Sequence, residues 1–503
     1  MQGVNPYGWA MSGSPTIRVS AQLGRAASRP SLVVLSACLA QVIIVLDTTI
    51  VAVALPDAQL DLGFASADRQ WAVTAYTLAF GSLLLVGGRV STFLGAKRAF
   101  LIGAAGFGIA SLLGGLANDF GTLIAFRALQ GVFAALLAPT NLSLMNAAFP
   151  GAAGRSKAFA IFGSVAGAGA ALGLVLGGAL TELGDWRWCF FINVPLVAGT
   201  ILVAINGLRG TAGRTSGSLL DDVTGLLLGT ASVSALVFAF SCAESDGWTH
   251  SSTLVLLVGG AVLAIVFVIR ERLAAEPLVP LSLLADARRS SSYLAIALVG
   301  FAQMGASVYL TFYLQEDLGY SPLRAGLAFL PMVVGLIVAA IVSTRFLVPR
   351  FGLGVVLTVG PLMQSIGFIW LSGLGTVDEY VSELVAPMVV IGMGLGTVMA
   401  PAMSSATVGL NPARGGLASA LANTSQQLGA SLGVAFLSTI ATSIVSERIE
   451  AAAPLTQAEA ATVRLSADVA AYSVGFQWLA GITALVAVLI AMRFALGRLV
   501  GGQ

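Results

Sequence analysis

Long apolar runs, separated by short polar breaks, occupy almost the whole chain. A transmembrane α-helix needs about 20 apolar residues, and fourteen of the runs meet that length. Their approximate centres are Ile43, Phe80, Gly108, Gly131, Ala168, Ala198, Gly229, Gly260, Gly300, Gly335, Gly360, Val390, Gly433 and Thr483. The pattern predicts an all-α polytopic membrane protein with fourteen transmembrane helices. Because this number is even, both termini are expected on the same side of the membrane.

The basic residues in the breaks indicate which side that is. Nineteen of the 25 basic residues lie in the two tails and the even-numbered breaks, and five lie in the odd-numbered breaks. The positive-inside rule therefore predicts a multi-pass protein of the cytoplasmic membrane with both termini in the cytoplasm. We expect cytoplasmic tails at residues 1–30 and 496–503, and the longest outside loop from about Glu447 to Ala471.

Two short segments recur at nearly the same distance along the chain. The segment GAALG at residues 169–173 returns as GASLG at 429–433, and VSTFLG at 90–95 returns as LVPRFG at 347–352. Offsets of 260 and 257 residues favour two duplicated six-helix halves, which is a common transporter design. The predicted domains are a first half at 31–210, two extra helices with their linkers at 211–275, and a second half at 276–495.

Composition narrows the possible functions. The chain of 503 residues is 57% hydrophobic and 10% charged, whereas a soluble domain carries about 25% charged residues. It has no Gly-x-x-x-x-Gly-Lys-Ser/Thr segment for phosphate binding and no His/Cys/Ser constellation with catalytic logic. We therefore expect no enzymatic activity, no cofactor, no metal site and no nucleic-acid partner.

Almost all charged residues lie in the breaks between apolar runs. Two of them, Asp47 and Arg127, lie inside predicted spans. A charge at the bilayer centre costs about 3 kcal/mol on insertion scales, so it is rarely retained without a partner or a task. A carboxylate can load and release a proton as its surroundings change, while an arginine stays protonated. We interpret the pair as a proton-coupling site, with a static structural ion pair as the alternative. Sequence alone does not show that the two residues touch.

Glycines in two regions are candidates for packing or gating. Gly169, Gly173 and Gly177 recur every four residues in the fifth span and place small surfaces on one helix face. They predict either tight packing or a surface that slides during transport. Gly88 and Gly95 flank a predicted tight turn between the second and third spans, which acts either in gating or only as a topology signal.

Several uncharged polar side chains also fall inside the predicted spans. They either form interhelical hydrogen bonds or line a substrate cavity. The cavity candidates are Gln130, Asn141, Gln303, Tyr309, Tyr313, Asn423 and Gln426.

Longer motifs carry a resemblance to a known family. The segments that carry it are LDTTIVAVALP at 46–56, WAVTAYTL at 71–78, RALQG at 127–131, WRWCFFINVP at 186–195 and YLQEDLGYSP at 313–322. With these segments, the chain resembles the fourteen-span drug:proton antiporters of the major facilitator superfamily over nearly its whole length. The resemblance implies two six-helix halves with two extra central helices, and a role for Arg127 in proton coupling.

The chain departs from the family pattern at two positions. Thr92 occupies the place of an acidic residue in the motif between the second and third spans, and Leu174 follows Gly173 where antiporters carry a proline. These departures concern residues that the family links to cytoplasmic locking and to antiport.

The residues and the resemblance together predict a proton-coupled secondary transporter. It would export amphipathic drugs or other organic compounds across the cytoplasmic membrane, and we expect a monomer whose partners are protons, its substrate and the lipid bilayer. One alternative is export of a lipid or an endogenous secondary metabolite, with incidental drug efflux. The other is a membrane receptor or scaffold without transport.

Overall fold

The computed structural model describes residues 30–64, 69–149, 152–208, 223–274, 282–374, 380–408, 410, 412–451 and 457–500. The predicted N-terminal tail up to residue 29 and most of the linkers around residues 211–222 and 275–281 lie outside these ranges. The domain boundaries stay a prediction.

Helices make up nearly all of the described residues. The first half contains α1 Pro30–Leu62, α2 Arg69–Leu94, α3 Ala96–Gly115, α4 Phe120–Ala148, α5 Ala152–Leu183 and α6, built from the segments Trp188–Phe191 and Asn193–Gly207. The two extra helices are α7 Val223–Asp246 and α8 Ser251–Leu273.

The second half repeats this arrangement after a single helical turn, Ser282–Ala285. It contains α9 Ala287–Phe312 with a wider turn at Tyr313–Asp317, α10 in the segments Pro322–Ala328, Leu330–Val342, Ser343–Leu347 and Val348–Phe351, α11 Leu353–Leu371, α12 Ala386–Thr407 preceded by Tyr380–Val385, α13 Pro412–Ala451 and α14 Gln457–Val500.

The predicted all-helical membrane architecture is confirmed, and each of the fourteen predicted spans coincides with a helix. Among the described residues, thirteen helices are long and apolar enough to cross a membrane, and each contains one of the predicted centres. The remaining centre, Ala168, lies in α5, a helix of 32 residues. The predicted outside loop at 447–471 is wrong as a loop, because α13 continues to Ala451 and α14 begins at Gln457. Alanine is the best helix former, so this Ala-rich stretch extends both helices. The predicted tail at 496–503 likewise begins as helix, through Val500.

The two halves pack in the same way. Contacts between α1 and α5 in the first half correspond to contacts between α9 and α13 in the second, and α2–α4 corresponds to α10–α12. The recurring glycines sit in these contacts. A Cβ added at Gly173 would lie 3.1 Å from the carbonyl oxygen of Leu46, and one at Gly433 would lie 2.2 Å from that of Phe301. The repeat read in the sequence is therefore a repeat of close helix contacts.

The second recurring segment forms a turn in each half. Gly95 joins α2 to α3, and Gly352 joins α10 to α11, both with a φ of +81°. Their ψ values of 143° and 165° place them near a backbone region that is essentially restricted to glycine. The predicted tight turn is therefore present at Gly95, but Gly88 lies inside α2 and does not flank it.

The α7–α8 hairpin lies against both halves. The hydroxyls of Ser241 on α7 and Thr74 on α2 are 3.1 Å apart, and the indole of Trp248 donates to Thr439 Oγ1 on α13 at 2.6 Å. α8 packs on α7 and exposes much of its apolar surface. The hairpin therefore sits at the periphery of the bundle, although it is central in the chain.

Candidate functional site

Asp47 on α1 and Arg127 on α4 form a buried ion pair. Arg127 Nη1 donates to Asp47 Oδ2 at 2.6 Å, and neither side chain is exposed. An ion pair in this environment must be completed by further hydrogen bonds to offset the cost of removing both charges from water.

Two side-chain amides bind Asp47, and one of them also bonds a serine hydroxyl. Gln130 Nε2 and Asn193 Nδ2 both donate to Asp47 Oδ1, at 2.9 and 2.8 Å. Gln130 Oε1 accepts from Arg127 Nη1 at 3.0 Å, and Asn193 Nδ2 also lies 3.0 Å from Ser111 Oγ. Four helices therefore supply side chains to one buried polar cluster, which we call the coupling cluster: Asp47, Ser111, Arg127, Gln130 and Asn193.

Helix α2 holds the other side of Arg127. Arg127 Nε donates to the carbonyl oxygen of Ala72 at 3.0 Å, and its guanidinium lies 4.5 Å from the ring centroid of Tyr76. This approach requires a small residue on α4. A Cβ at Gly131 would lie 2.4 Å from the carbonyl oxygen of Tyr76. The motif at 127–131 therefore has three roles. Arg127 supplies the positive charge, Gln130 binds Asp47, and Gly131 allows the close approach of α2.

Sequence reasoning missed Asn193 and Ser111. Asn193 belongs to the motif at 186–195, where it is an amide at the start of an apolar run. Helix α6 begins its longer segment at Asn193, and that position directs the amide to Asp47. Ser111 lies in a Gly/Ala-rich helix and had no comparable signal.

A cavity of about 770 Å³ lies between the two halves. Its lining is mainly apolar and aromatic, with side chains from α1, α2, α4, α5, α9, α10, α12 and α13. At the end of the bundle away from Pro30 and Val500 it reaches Asp57 and Glu182, which we call the mouth. The volume falls within the range of sites for drug-sized ligands.

The predicted cavity residues divide into two groups. Gln303, Asn423 and Gln426 line the cavity. Gln130, Asn141, Tyr309 and Tyr313 are buried and do not line it. Gln130 belongs to the coupling cluster, the Tyr309 hydroxyl donates to the Leu437 carbonyl, and the ring of Tyr313 packs on that of Tyr472. Helix periodicity turns these four side chains away from the space between the halves.

Three of the predicted gating glycines, Gly169, Gly173 and Gly177, lie in helix contacts. Gly169 packs on Val42 of α1, and a Cβ at Gly177 would lie 3.2 Å from the carbonyl oxygen of Ile50. The carbonyl of Gly88 accepts from the Thr92 hydroxyl at 3.1 Å, so Thr92 bonds within its own helix. The side chain of Leu174 lies outside the described part of the chain. Whether these contacts slide stays a prediction.

The halves meet in an apolar plug at the end of the bundle where the described chain begins and ends. Leu142 and Met145 of α4, Phe159 and Phe162 of α5, and Met403 of α12 belong to one buried cluster. A hydrogen bond of 3.2 Å from Thr407 Oγ1 to Asn146 Oδ1 crosses the same interface. The cavity is therefore covered at this end and extends towards the other.

A second ion pair lies in the first half, at the end of the bundle that carries the mouth. Arg187 Nη1 lies 2.7 Å from Asp61 Oδ2, and the indole of Trp186 donates to the same carboxylate at 3.2 Å. The hydrogen bond from Arg187, followed by that from Trp186, lowers the pKa of Asp61. The bridge ties α1 to the segment before α6, and so helps to place Asn193 beside Asp47.

Replacing Asn193 with leucine should weaken the coupling cluster and leave the cavity unchanged. The variant loses a donor to a buried carboxylate, and such hydrogen bonds contribute about 1.5–3 kcal/mol. We expect a lower thermal unfolding temperature and slower efflux, with unchanged equilibrium binding of substrate. The matched control is Asn206→Leu on the same helix, because the Asn206 amide is exposed and donates to the Leu202 carbonyl of its own helix. Equal behaviour of the two variants would contradict the role of Asn193.

Comparison with known proteins agrees with this architecture. The Major Facilitator Superfamily model matches residues 37–434. The puromycin resistance protein pur8 of Streptomyces alboniger is 42% identical over 454 residues, covering 90% of this chain and 88% of that protein. The cephamycin export protein CmcT of Amycolatopsis lactamdurans is 36% identical, covering 84% and 88%.

A solved structure shares the fold at low sequence identity. The human organic anion transporter MFSD10 has a TM-score of 0.63 and 14% identity, covering 92% of this chain and 99% of that one. Two similar six-helix halves with two extra helices, a cavity between the halves and a family match over most of the sequence lead to one conclusion. The chain is a member of the major facilitator superfamily.

Proposed function

We propose that this chain is a proton-coupled secondary transporter that exports amphipathic organic compounds. It works in the cytoplasmic membrane as a monomer, with both termini in the cytoplasm, and it catalyses no chemical reaction. One observation carries the proposal. A fully buried acid–base pair with two amide ligands lies in α1 and α4, next to a cavity between the two halves.

The coupling cluster suits a carboxyl group that changes its protonation state. A side-chain amide donates to a carboxylate and can accept from a carboxylic acid after it rotates. Asn193 Oδ1 has no hydrogen-bond partner in the described part of the chain, so Asn193 is free to make that exchange. Arg127 keeps its charge in both states, and its pairing with Asp47 is lost when the acid is neutral.

Movement of the halves follows from where the cluster sits. Protonation weakens the link between α1 and α4 at Asp47, and α1 packs on α5 through Gly169, Gly173 and Gly177. Helix α5 also carries Phe159 and Phe162 of the plug. A change at Asp47 can therefore reach the covered end of the cavity through two neighbouring helices.

Transport by purified protein in proteoliposomes tests this function. A pH gradient should drive uptake of a fluorescent amphipathic dye into inside-out vesicles. Each dye molecule that enters should be exchanged for protons that leave the lumen, and a pH indicator trapped in the lumen detects their loss. Collapse of the gradient with a protonophore should abolish accumulation. Dye flux that ignores the gradient would refute proton coupling, and the absence of any flux would favour the receptor or scaffold alternative.

The natural cargo can also be a secondary metabolite. The relatives named above are a puromycin resistance protein and a cephamycin export protein, which favours antibiotic-like molecules as cargo. Competition between the dye and a panel of lipids and antibiotic-like compounds distinguishes these cargos. Competition by lipids alone would overturn the drug assignment.

A further inference from the structure

The proton site and the cavity lie on different faces of α1. Thr48 and Thr49 line the cavity, whereas the neighbouring Asp47 is fully buried on the side of Arg127 and does not line it. A molecule held in this cavity would therefore not contact Asp47. Cargo and proton therefore do not compete for Asp47, and the site does not require a positively charged cargo.

The charges that do line the cavity are confined to its mouth. Within the described lining these are Asp57 and Glu182, both exposed. Gln41 lies sixteen residues before Asp57 on α1, which is about 24 Å along the helix. Among the described residues, the inner part of the cavity thus has no charged partner for a cationic or anionic group, and burying such a group unpaired is costly.

Four glutamines bring amide groups into the cavity on the plug side of Gln315: Gln41 on α1, Gln303 on α9, and Gln426 and Gln427 on α13. Hydroxyl side chains such as Thr48, Thr49 and Ser307 also line the cavity. Each of the four glutamines is partly exposed to the cavity, and the side-chain hydrogen bonds among the described residues do not engage their amides. Each amide offers both donors and an acceptor. By contrast, the cavity residue Asn423 already donates to the Ser419 carbonyl of its own helix at 2.9 Å.

Aromatic and methionine side chains surround these amides. Phe80, Phe162 and Phe329 present flat surfaces, while Met304, Met332 and Met399 offer adaptable ones. Rings stack on the former, and thioethers adjust to irregular shapes. This combination suits a flat body of several rings whose edge carries carbonyl or hydroxyl groups.

We propose that the cavity selects uncharged multi-ring compounds with several carbonyl or hydroxyl groups, held by Gln41, Gln303, Gln426 and Gln427. The proposal rests on the proposed export function for its physiological meaning. It concerns binding, so it can be tested without transport.

A matched pair of probes tests this selectivity. Both probes carry the same hydroxyanthraquinone ring system, one with a neutral hydroxyethyl side chain and the other with a quaternary ammonium side chain. In equilibrium binding to the protein in lipid nanodiscs, we expect the neutral probe to bind at least tenfold more tightly. Equal or tighter binding of the charged probe would overturn the proposal, and so would binding of neither probe.

Variants identify the residues responsible. Gln303→Leu and Gln426→Leu should each weaken neutral-probe binding about fivefold, which matches the loss of one ordinary hydrogen bond. The control is Gln364→Leu on α11, because Gln364 is a buried glutamine that does not line the cavity. Equal affinities for all three variants would contradict the assignment.

A variant that gains affinity for the charged probe distinguishes a change of selectivity from poor folding, because a poorly folded protein would lose binding of both probes. Gln303→Glu places a carboxylate in the inner cavity and should reverse the preference towards the quaternary ammonium probe. An unchanged preference in a monodisperse sample would overturn the role of Gln303. Neutral-probe binding without proton-driven flux would refute only the proposed transport function, which keeps the two failures separate.

Discussion

Asp47→Asn is expected to abolish gradient-driven accumulation of cargo while leaving cargo exchange across the membrane intact. Accumulation should fall about a hundredfold or more, to the level of vesicles without protein. The reason is that an amide does not take up or release protons as a carboxyl group does. The pH gradient can then no longer drive transport. Uptake into proteoliposomes, with and without an imposed pH gradient, measures both quantities.

The geometry indicates that the variant still folds. Asn at this position can keep an oxygen for the donors of Gln130 and Asn193, which now bind Asp47 Oδ1. The lesion is confined to the side of Arg127 Nη1, where a carboxylate oxygen is replaced by an amide nitrogen. Breaking a buried pair in this way costs about 3–5 kcal/mol, so the unfolding temperature should fall as well.

Asp468→Asn is the matched control. Asp468 pairs with Arg464 at 4.0 Å on α14, and the arginine is 71% exposed. The aspartate is 26% exposed, and a long pair with an exposed partner contributes about 0–1 kcal/mol, so loss of this pair should change transport and unfolding far less than Asp47→Asn. Retained accumulation in Asp47→Asn would refute the coupling role of Asp47. Loss of exchange together with accumulation would indicate a structural role instead.

The sequence predicts most of this fold because the bilayer imposes a simple rule on it. Apolar length alone locates each span, and the predicted centres all fall within helices. Helix length beyond the bilayer follows other rules. The Ala-rich stretch at 447–471 is polar enough to leave the membrane, yet its helix propensity extends α13 and α14. Hydropathy does not report this propensity.

The site was only partly predictable for a related reason. A charged residue inside an apolar run is recognisable from the sequence, and this pattern identifies Asp47 and Arg127 as site residues. An uncharged amide gives no comparable signal about its direction, because a shift of one or two positions turns a side chain to another helix face. Gln303 and Gln426 face the cavity, whereas Gln130 faces Asp47 and Asn141 is buried away from the cavity. Only the packing of several helices decides between these directions.

Gly131→Ala should impair coupled transport at least tenfold and lower the unfolding temperature. The added Cβ would lie 2.4 Å from the carbonyl oxygen of Tyr76 and 2.9 Å from the Ala79 Cβ, so α2 must move away from α4. Overpacking of this kind costs about 1–3 kcal/mol. The same movement separates Arg127 Nε from its acceptor, the Ala72 carbonyl, and a buried donor without a partner adds a similar cost.

Gly199→Ala provides the comparison for Gly131→Ala. Gly199 lies in α6, and a Cβ built there meets nothing within 4 Å. Alanine is favoured over glycine inside a helix by about 0.5–1 kcal/mol, so this control should unfold at the same or a slightly higher temperature. Thermal unfolding and gradient-driven uptake, measured on both variants, isolate the effect of the α2–α4 contact. If Gly131→Ala matches Gly199→Ala in both measurements, close approach of α2 is not what holds Arg127 against Asp47.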